Sequence, residues 1–250
     1  MTSYTLILCE GAHDQAAIAS LASEYGGWTK QKRIPASLPE KLQNLYPMPK
    51  TNSSGAYEFE WAPAYLTKDD NWLEIRQRGG FENLTSESTL EVLDRATPDA
   101  IGCVVDADDK GVERRLQACQ EWLGKRYVHA KKLKAGRITP GQPRLGVWIA
   151  PNNRSNGNLG RLLLDAAKMH NKGLVRSGKR FVTSLEKLEP GKWSTSREKA
   201  VLGAINQTVR PGASLAACLH SSKCWFDSSL ATHAPFAKLC EFVERLTGLK

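Results

Sequence analysis

Four acidic side chains lie just beyond two short apolar runs of the sequence: Glu10, Asp14, Asp106 and Asp108. The runs are residues 4–9 and 101–105, and their composition is typical of β-strands. If the two strands are parallel neighbours, the carboxylates that follow them lie close together at one edge of a sheet. Carboxylates in such a cluster repel one another without a counter-charge, and oxygen ligands of this kind suit Mg²⁺ or Mn²⁺. The pattern predicts a metal site held by these four residues.

Two structural roles compete with this interpretation. Glu10 could be an acid stabilised by the dipole of the helix that follows it. Asp106 and Asp108 could be a turn or N-cap pair before the next helix. The recurrence of an acidic cluster after the second strand favours the metal site. His13, between two of the acids, is expected to be exposed and not catalytic.

Three strand–loop–helix units are expected to position these acids. The predicted strands are residues 4–9, 101–105 and 145–149, and the predicted helices that follow them are residues 12–25, 112–123 and 159–170. Repetition of this unit predicts an α/β fold, a Rossmann-like, mostly parallel sheet flanked by helices. Ligands of such sheets gather at the carboxyl ends of the strands, where the acids lie.

The remaining segments are interpreted as additions within a single domain spanning residues 1–250. The core comprises residues 1–25 and 85–170, the latter beginning with a short helix. Residues 26–80 are rich in Pro, Gly, Asn and aromatics, and they are interpreted as a β-rich insertion with a strand at 57–61 and a small hairpin. Residues 174–250 form a helical C-terminal part, with helices predicted at 179–188, 196–209, 215–219 and 235–246.

The composition excludes several classes of protein. Hydrophobic residues make up 41% and charged residues 24%, which is typical of a folded domain and not of a disordered chain. No run approaches the ~18 apolar residues of a membrane span, and the first residues lack a signal peptide's basic region, so a cytoplasmic location without membrane contact is expected. The six cysteines form no CxxC or Cys/His cluster, and no P-loop or Ser-His-Asp arrangement is apparent.

Positive charge is concentrated in one block of the chain. Residues 110–180 contain seventeen Lys or Arg and three acids, a net charge of +14, whereas the whole chain carries +9. A one-sided basic block suits a polyanion such as DNA or RNA, because neutralised phosphates release counterions. The alternative is a solvated basic face with no partner.

The motifs around the acids resemble those of Toprim domains. LILCEGAHDQAAI resembles the first Toprim motif, and IGCVVDADDKG resembles the second, with its Asp-x-Asp pair. GVWIAPNNRSNGNLGRLLLD and the later segment PGASLAACLHSSKCWFD resemble small stand-alone Toprim proteins related to the OLD-type (overcoming lysogenisation defect) nucleases. The resemblance covers most of the chain.

This resemblance implies Mg²⁺- or Mn²⁺-dependent hydrolysis of phosphodiester bonds. It assigns Glu10 to proton transfer or metal binding, Asp106 and Asp108 to metal binding, and Asp14 to a supporting role. Lys199 is the positional match for a lysine that assists the transition state. The resemblance also implies a separate ATPase subunit as partner in bacterial or phage defence, and it leaves a homo-oligomer open.

The sequence departs from the Toprim pattern at two positions. Gly160 stands where the family has an acid, and Asn152 stands where it has an aspartate, so a second metal site would lack two charges. Acids that could compensate are Asp109, Glu113, Asp165 and Asp227, although Asp165 is expected on the wrong face of its helix. An active nuclease is the first hypothesis, a catalytically degenerate Toprim module that binds nucleic acid or a partner protein is the second, and a phosphotransfer enzyme is the third.

Overall fold

A central sheet organises the molecule. The computed structural model describes residues 3–31, 63–188, 190, 196–221, 224–230 and 232–249. Within these residues the strands are Tyr4–Cys9 (β1), Thr29–Lys30 (β2), Ala64–Lys68 (β3), Asn71–Gln77 (β4), Ala100–Asp106 (β5), Ile138–Thr139 (β6) and Arg144–Ala150 (β7). Their order is β2-β3-β4-β1-β5-β7-β6, and the four central strands are parallel. The prediction of an α/β fold with a mostly parallel sheet is confirmed.

Helices cover both faces of this sheet. They are Ala12–Glu24 (α1), Phe81–Leu84 (α2), Glu87–Ala96 (α3), Val112–Gly124 (α4), Leu159–His170 (α5), Lys172–Leu188 (α6), Arg197–Val209 (α7), Leu215–His220 (α8), Asp227–Leu230 (α9) and Ala234–Thr247 (α10). The N-caps of α5 and α7 are Asn158 and Ser196, whose side-chain oxygens accept from backbone N–H groups of the first turn. The predicted helix at 159–170 has these bounds, and the C-terminal part is helical as expected.

The hairpin within the predicted insertion belongs to the main sheet. β3 and β4 form an antiparallel pair, and β4 lies parallel to β1, with Trp72 beside Tyr4. The interpretation of residues 26–80 as an insertion outside the core is therefore wrong for β3 and β4. The predicted strand at 57–61 lies outside the described residues.

A buried ion pair explains why the sequence of β4 contains charged residues although the strand lies in the core. Glu74 is 0% exposed, and its carboxylate accepts hydrogen bonds from Tyr4 Oη and Arg76 Nε, both at 2.7 Å. Charged residues in a strand favour a solvated edge unless each has a partner. The partners here lie two and seventy residues away, so the sequence pattern alone does not reveal them.

The helices divide between two hydrophobic cores. Helices α1 and α5–α10 pack on one face of the sheet, and α2–α4 pack on the other. The chain therefore leaves β1 toward one face and leaves the adjacent strand β5 toward the opposite face. This arrangement opens a crevice between the two strand ends, the place where open α/β sheets bind ligands.

The structure also shows the state of the cysteines and the character of the helices. All six cysteines are free thiols, and five are buried, as expected of small core residues. Over the described ranges, no helix has both the length and the apolar character needed to cross a membrane.

Candidate metal centre

Glu10 and Asp106 meet at the crevice between β1 and β5. Cys9, the last residue of β1, lies beside Val104, so Glu10 follows directly and Asp106 closes β5 next to it. Glu10 Oε1 accepts a hydrogen bond from the backbone N–H of Asp106 at 2.7 Å. The adjacency of the two strands that the sequence analysis required is thus present.

Asp108 completes a three-carboxylate cluster. One carboxylate oxygen from each of Glu10, Asp106 and Asp108 can be chosen so that all three lie within 4.8 Å of one another. Asp108 has a positive φ of 45°, and its N–H donates to the Gly157 carbonyl at 2.7 Å, which holds the loop after β5 against the loop before α5. Asp106 Oδ1 accepts from the N–H of Leu159 at 2.8 Å, so a backbone donor in the first turn of α5 holds one carboxylate of the cluster in place. These three residues can hold a metal ion.

Asp14 lies beside this cluster and is not one of its three members. Its Oδ2 accepts from the N–H of Gly11 at 2.8 Å, which closes the turn between β1 and α1. Its Oδ1 is buried and has no hydrogen-bond partner, and the residue is only 4% exposed. A buried carboxylate oxygen without a partner is costly, and it marks a position where a cation or a water fits.

Burial and mutual repulsion raise the pKa values of these carboxyls. Burial raises the pKa of Asp106 to about 8, and the neighbouring Asp14 and Glu10 add to the effect. The pKa values of Glu10 and Asp14 are also raised, in both cases chiefly by burial. The ionised forms of these carboxyls are therefore disfavoured, and a divalent cation that replaced their protons would neutralise the negative charge.

Two cations already border the cluster. Arg115 Nη2 lies 3.2 Å from Asp108 Oδ2, and its guanidinium stacks over the Phe81 ring at 4.0 Å from the centroid. Burial lowers the pKa of His13 and the positive charge of Lys199 adds to this effect, while the same charge partly opposes the rise in the pKa of Asp14, so Lys199 lies near both residues. The sequence-based choice of Lys199 is consistent with this position, whereas His13 is half-buried beside it and not exposed as expected.

The chain as a whole matches one described family. Residues 4–245 match the family model described as "Protein of unknown function (DUF3226)". The chain belongs to the DUF3226 family. No curated protein matches its sequence.

A solved structure supports the fold of this DUF3226 protein. It is the crystal structure of a hypothetical protein from Pyrococcus horikoshii OT3, with 15% sequence identity and a TM-score of 0.57. The match covers 98% of this chain and 95% of that chain. At this identity the likeness bears on the fold alone.

Asn152 and Gly160, the two positions where the sequence lacks an expected acid, have defined surroundings in the DUF3226 protein. Asn152 Oδ1 accepts hydrogen bonds from the Arg154 N–H, the Ser155 N–H and the Ser155 hydroxyl, so its carbonyl is used to hold a turn. Gly160 is buried, and a Cβ there would lie 3.4 Å from Lys199 Cγ and 3.7 Å from Glu198 Cβ. The space that a side chain at 160 would enter is thus bordered by the first turn of α7.

Glu198 is a further acid near Gly160 that no sequence motif singles out. It lies in the wall of a cavity of about 570 Å³ that also includes Asp108, together with Asp109, Lys110, Arg115, Asn156, Gly157, Asn158 and Arg161. Asp165 is exposed on α5, and Glu113 is exposed on α4. The side chain of Asp227 lies outside the described residues. The sequence gives no sign that Glu198 lies near Gly160, because the two residues come together only where α7 packs on α5.

The raised pKa of Asp106 predicts how stability depends on pH. The folded carboxyl binds a proton with a pKa of about 8, whereas an unfolded aspartate has a pKa of about 3.9. Between these values folding takes up a proton, so without metal the free energy of unfolding should fall as pH rises from about 4 to about 8. Urea titrations at several pH values in EDTA measure this slope.

Two variants separate Asp106 from the other titrating groups. Asp106→Asn should flatten the pH dependence, and the exposed Asp165→Asn should leave it as in the wild type. Added Mn²⁺ should stabilise the wild type more at pH 8 than at pH 6, because the cation competes with the proton. An identical slope in both variants would contradict the assignment of the raised pKa to Asp106.

Proposed function

We propose that this protein is a metal-dependent phosphodiesterase that hydrolyses nucleic acid at a Toprim-type active site. The observation that carries the proposal is the cluster of Glu10, Asp106 and Asp108, whose oxygens lie within 4.8 Å at the ends of two adjacent parallel strands. The order and spacing of these acids are the features in which the sequence resembles Toprim domains. Neither a helix dipole nor a simple turn requires three carboxylates at this point.

The donor set fits a hard divalent cation. All of the candidate ligand atoms are carboxylate oxygens, which suit Mg²⁺ or Mn²⁺ and not a thiol-binding metal. The unpartnered Asp14 Oδ1 and the raised pKa of Asp106 are the features expected of a site prepared for positive charge. When bound, such a cation supplies charge neutralisation at the attacked phosphate and a position for the attacking water.

Chain residues around the cluster have distinct proposed roles. Asp106 and Asp108 hold the metal, and Glu10 holds it or transfers a proton, for which its raised pKa is suitable. Lys199 stabilises negative charge that develops on the phosphate. Glu198 supplies a carboxylate on the side of the cavity where Gly160 has none.

The cavity beside Asp108 suits a phosphodiester. Its wall includes Lys110, Arg115 and Arg161, so anionic oxygens would meet cations within reach of the acidic cluster. The overall charge of +9 favours a polyanion over a small neutral substrate. These features support nucleic acid as the substrate class.

A degenerate module that binds without cleavage is the second candidate. Gly160 and the turn-holding carbonyl of Asn152 favour it, since both reduce the ligands for a second metal. The two candidates differ in whether turnover depends on metal.

Cleavage of three substrates tests the proposal. Purified protein is incubated with supercoiled plasmid, single-stranded DNA and RNA, each with Mg²⁺, Mn²⁺ or EDTA. We expect cleavage of at least one substrate with metal and none with EDTA. Absence of cleavage on all three, with binding retained, would overturn the proposal in favour of the degenerate module.

Glu198→Gln is expected to lower the cleavage rate by roughly 10–100-fold, the usual cost of removing a group that supports metal ligands. Glutamine keeps the size of the side chain and removes its charge, so the first turn of α7 should be retained. Glu113→Gln is the matched control, because Glu113 is exposed and its loss should change the rate less than about twofold. Equal rates for the two variants would exclude Glu198 from the site.

A further inference from the structure

A second cavity, of about 600 Å³, lies away from the acidic cluster, along α6 and the end of α5. Six cationic side chains lie in its wall: Lys168, Lys172, Arg176, Lys179, Arg180 and Lys187. We call this feature the basic groove. Its wall contains no acidic residue.

The spacing of these cations follows the period of α6. Positions 172, 176, 179, 180 and 187 recur at intervals that place them on one face of a helix, with Thr183 between them. The buried positions of α6 are Val175, Gly178 and Val182, which lie to one side of the basic face, and a Cβ at Gly178 would lie 2.7 Å from Ile205 of α7. Packing against α7 therefore fixes the direction in which the basic face points.

The cations of the basic groove are not neutralised by the acids that the structure describes. None of the six takes part in a described ion pair. Glu186, the acid of α6, pairs with Arg197 of α7 at 3.3 Å. Arg126, in the same basic block of sequence, pairs instead with Glu87 and Asp94. Ion pairs thus neutralise some of the cations of residues 110–180, whereas the cations of the basic groove keep their charge unpaired among the described residues.

The groove leads toward the candidate metal centre. Helix α6 has 17 residues and is about 26 Å long. Near its C-terminal end, Thr183 and Glu186 contact Arg197, in the first turn of α7, which also carries Glu198 and Lys199. A chain lying along the groove would therefore be directed to the helix end that borders the acidic cluster.

We propose that the basic groove binds the phosphate backbone of the nucleic acid that is cleaved at the metal centre. The identity of the polyanion rests on the proposed function, whereas the position of the contact rests on the groove alone. Each strand of duplex DNA has one phosphate per ~3.4 Å of helix axis, so the length of α6 matches about seven to eight base pairs of a duplex. A row of regularly spaced cations with no acid among them matches a polymer of evenly spaced negative charges better than it matches a single small anion.

Binding in EDTA tests the groove separately from cleavage. The groove variant combines Lys172→Gln, Arg176→Gln and Lys179→Gln. The control variant removes the same charge from exposed residues elsewhere in the basic block, by Lys131→Gln, Lys132→Gln and Lys134→Gln. Fluorescence anisotropy with labelled 20-nucleotide single-stranded DNA, duplex DNA and RNA gives the affinity at several salt concentrations. Circular dichroism verifies that both variants remain folded.

The groove variant should lose about two to three units from the slope of log affinity against log salt, since each phosphate contact contributes about 0.7 on a single strand and about 0.9 on a duplex. The control variant should lose less than one. Equal losses would overturn the inference, because net charge alone would then explain binding. Displacement of the DNA by polyglutamate at the same charge concentration would also overturn it, in favour of an acidic protein partner.

The outcomes for the groove and for catalysis are distinguishable. Loss of affinity only in the groove variant, with no cleavage by the wild type, would support the groove and contradict the proposed function. Metal-dependent cleavage by the wild type, with unchanged affinity in the groove variant, would support the proposed function and contradict the groove.

Discussion

Asp106→Asn should reduce metal-dependent cleavage by roughly 10²–10³-fold or more, the cost of removing a charge that acts on the transition state. Asparagine has the shape of aspartate, and its carbonyl can still accept from the Leu159 N–H. The fold should therefore be kept while the charge of the cluster is lost. Initial rates of cleavage at saturating Mg²⁺ or Mn²⁺ measure the effect.

The control for this variant is Asp165→Asn. Asp165 is an exposed acid of α5, the helix whose first turn contacts Asp106, so at saturating metal, where Asp106 has lost its proton, its substitution changes net charge by the same amount. Its cleavage rate should lie within about twofold of the wild type, as expected for a surface change. A cleavage rate for Asp106→Asn close to that of Asp165→Asn would show that cleavage occurs at another site.

Phe242→Ala should lower the free energy of unfolding by about 3–5 kcal/mol, the usual cost of truncating a buried phenylalanine. Phe242 is 0% exposed, and its ring lies 5.9 Å from that of Trp148, centroid to centroid. A Cβ at Gly146 would come within 2.9 Å of the Phe242 ring. Urea denaturation measures the loss, and Phe181→Ala, at a residue 55% exposed, should cost much less.

The large loss of stability expected for Phe242→Ala follows from a pair of glycines in the sheet. Gly102 of β5 lies beside Gly146 of β7, and neither has a side chain to hold α10 away. Leu246 and Phe242 of α10 fill the space above them. Since β5 also carries Asp106, the packing of α10 supports the strand that carries part of the metal centre. Equal stability losses for Phe242→Ala and Phe181→Ala would contradict this packing.

The sequence predicts much of the fold because its strongest signals are local. The strand at 4–9 and the helix at 159–170 have the bounds predicted for them, since each combines an apolar pattern with clear polar ends. The meeting of Glu10 with Asp106 follows from one general property of parallel sheets, that strand ends align at one edge.

The features that the sequence does not reveal depend on contacts between distant residues. β4 contains Glu74 and Arg76, whose burial is possible only because they pair with each other and with Tyr4. Glu198 reaches the cavity of Asp108 through helix packing, which no spacing along the chain encodes. The basic groove likewise depends on which face of α6 contacts α7.

Direct titration with Mn²⁺ tests the central claim, that the acids at the ends of β1 and β5 form a metal centre. Calorimetry at pH 7 in two buffers of different ionisation enthalpy gives the stoichiometry and the number of protons released. We expect saturable binding to the wild type with proton release, because the carboxyl of Asp106 has a pKa of about 8 and is largely protonated at this pH without metal. Asp106→Asn should show neither the binding nor the release. Absence of saturable binding to the wild type, or binding unchanged in Asp106→Asn, would contradict the metal centre and the function built on it.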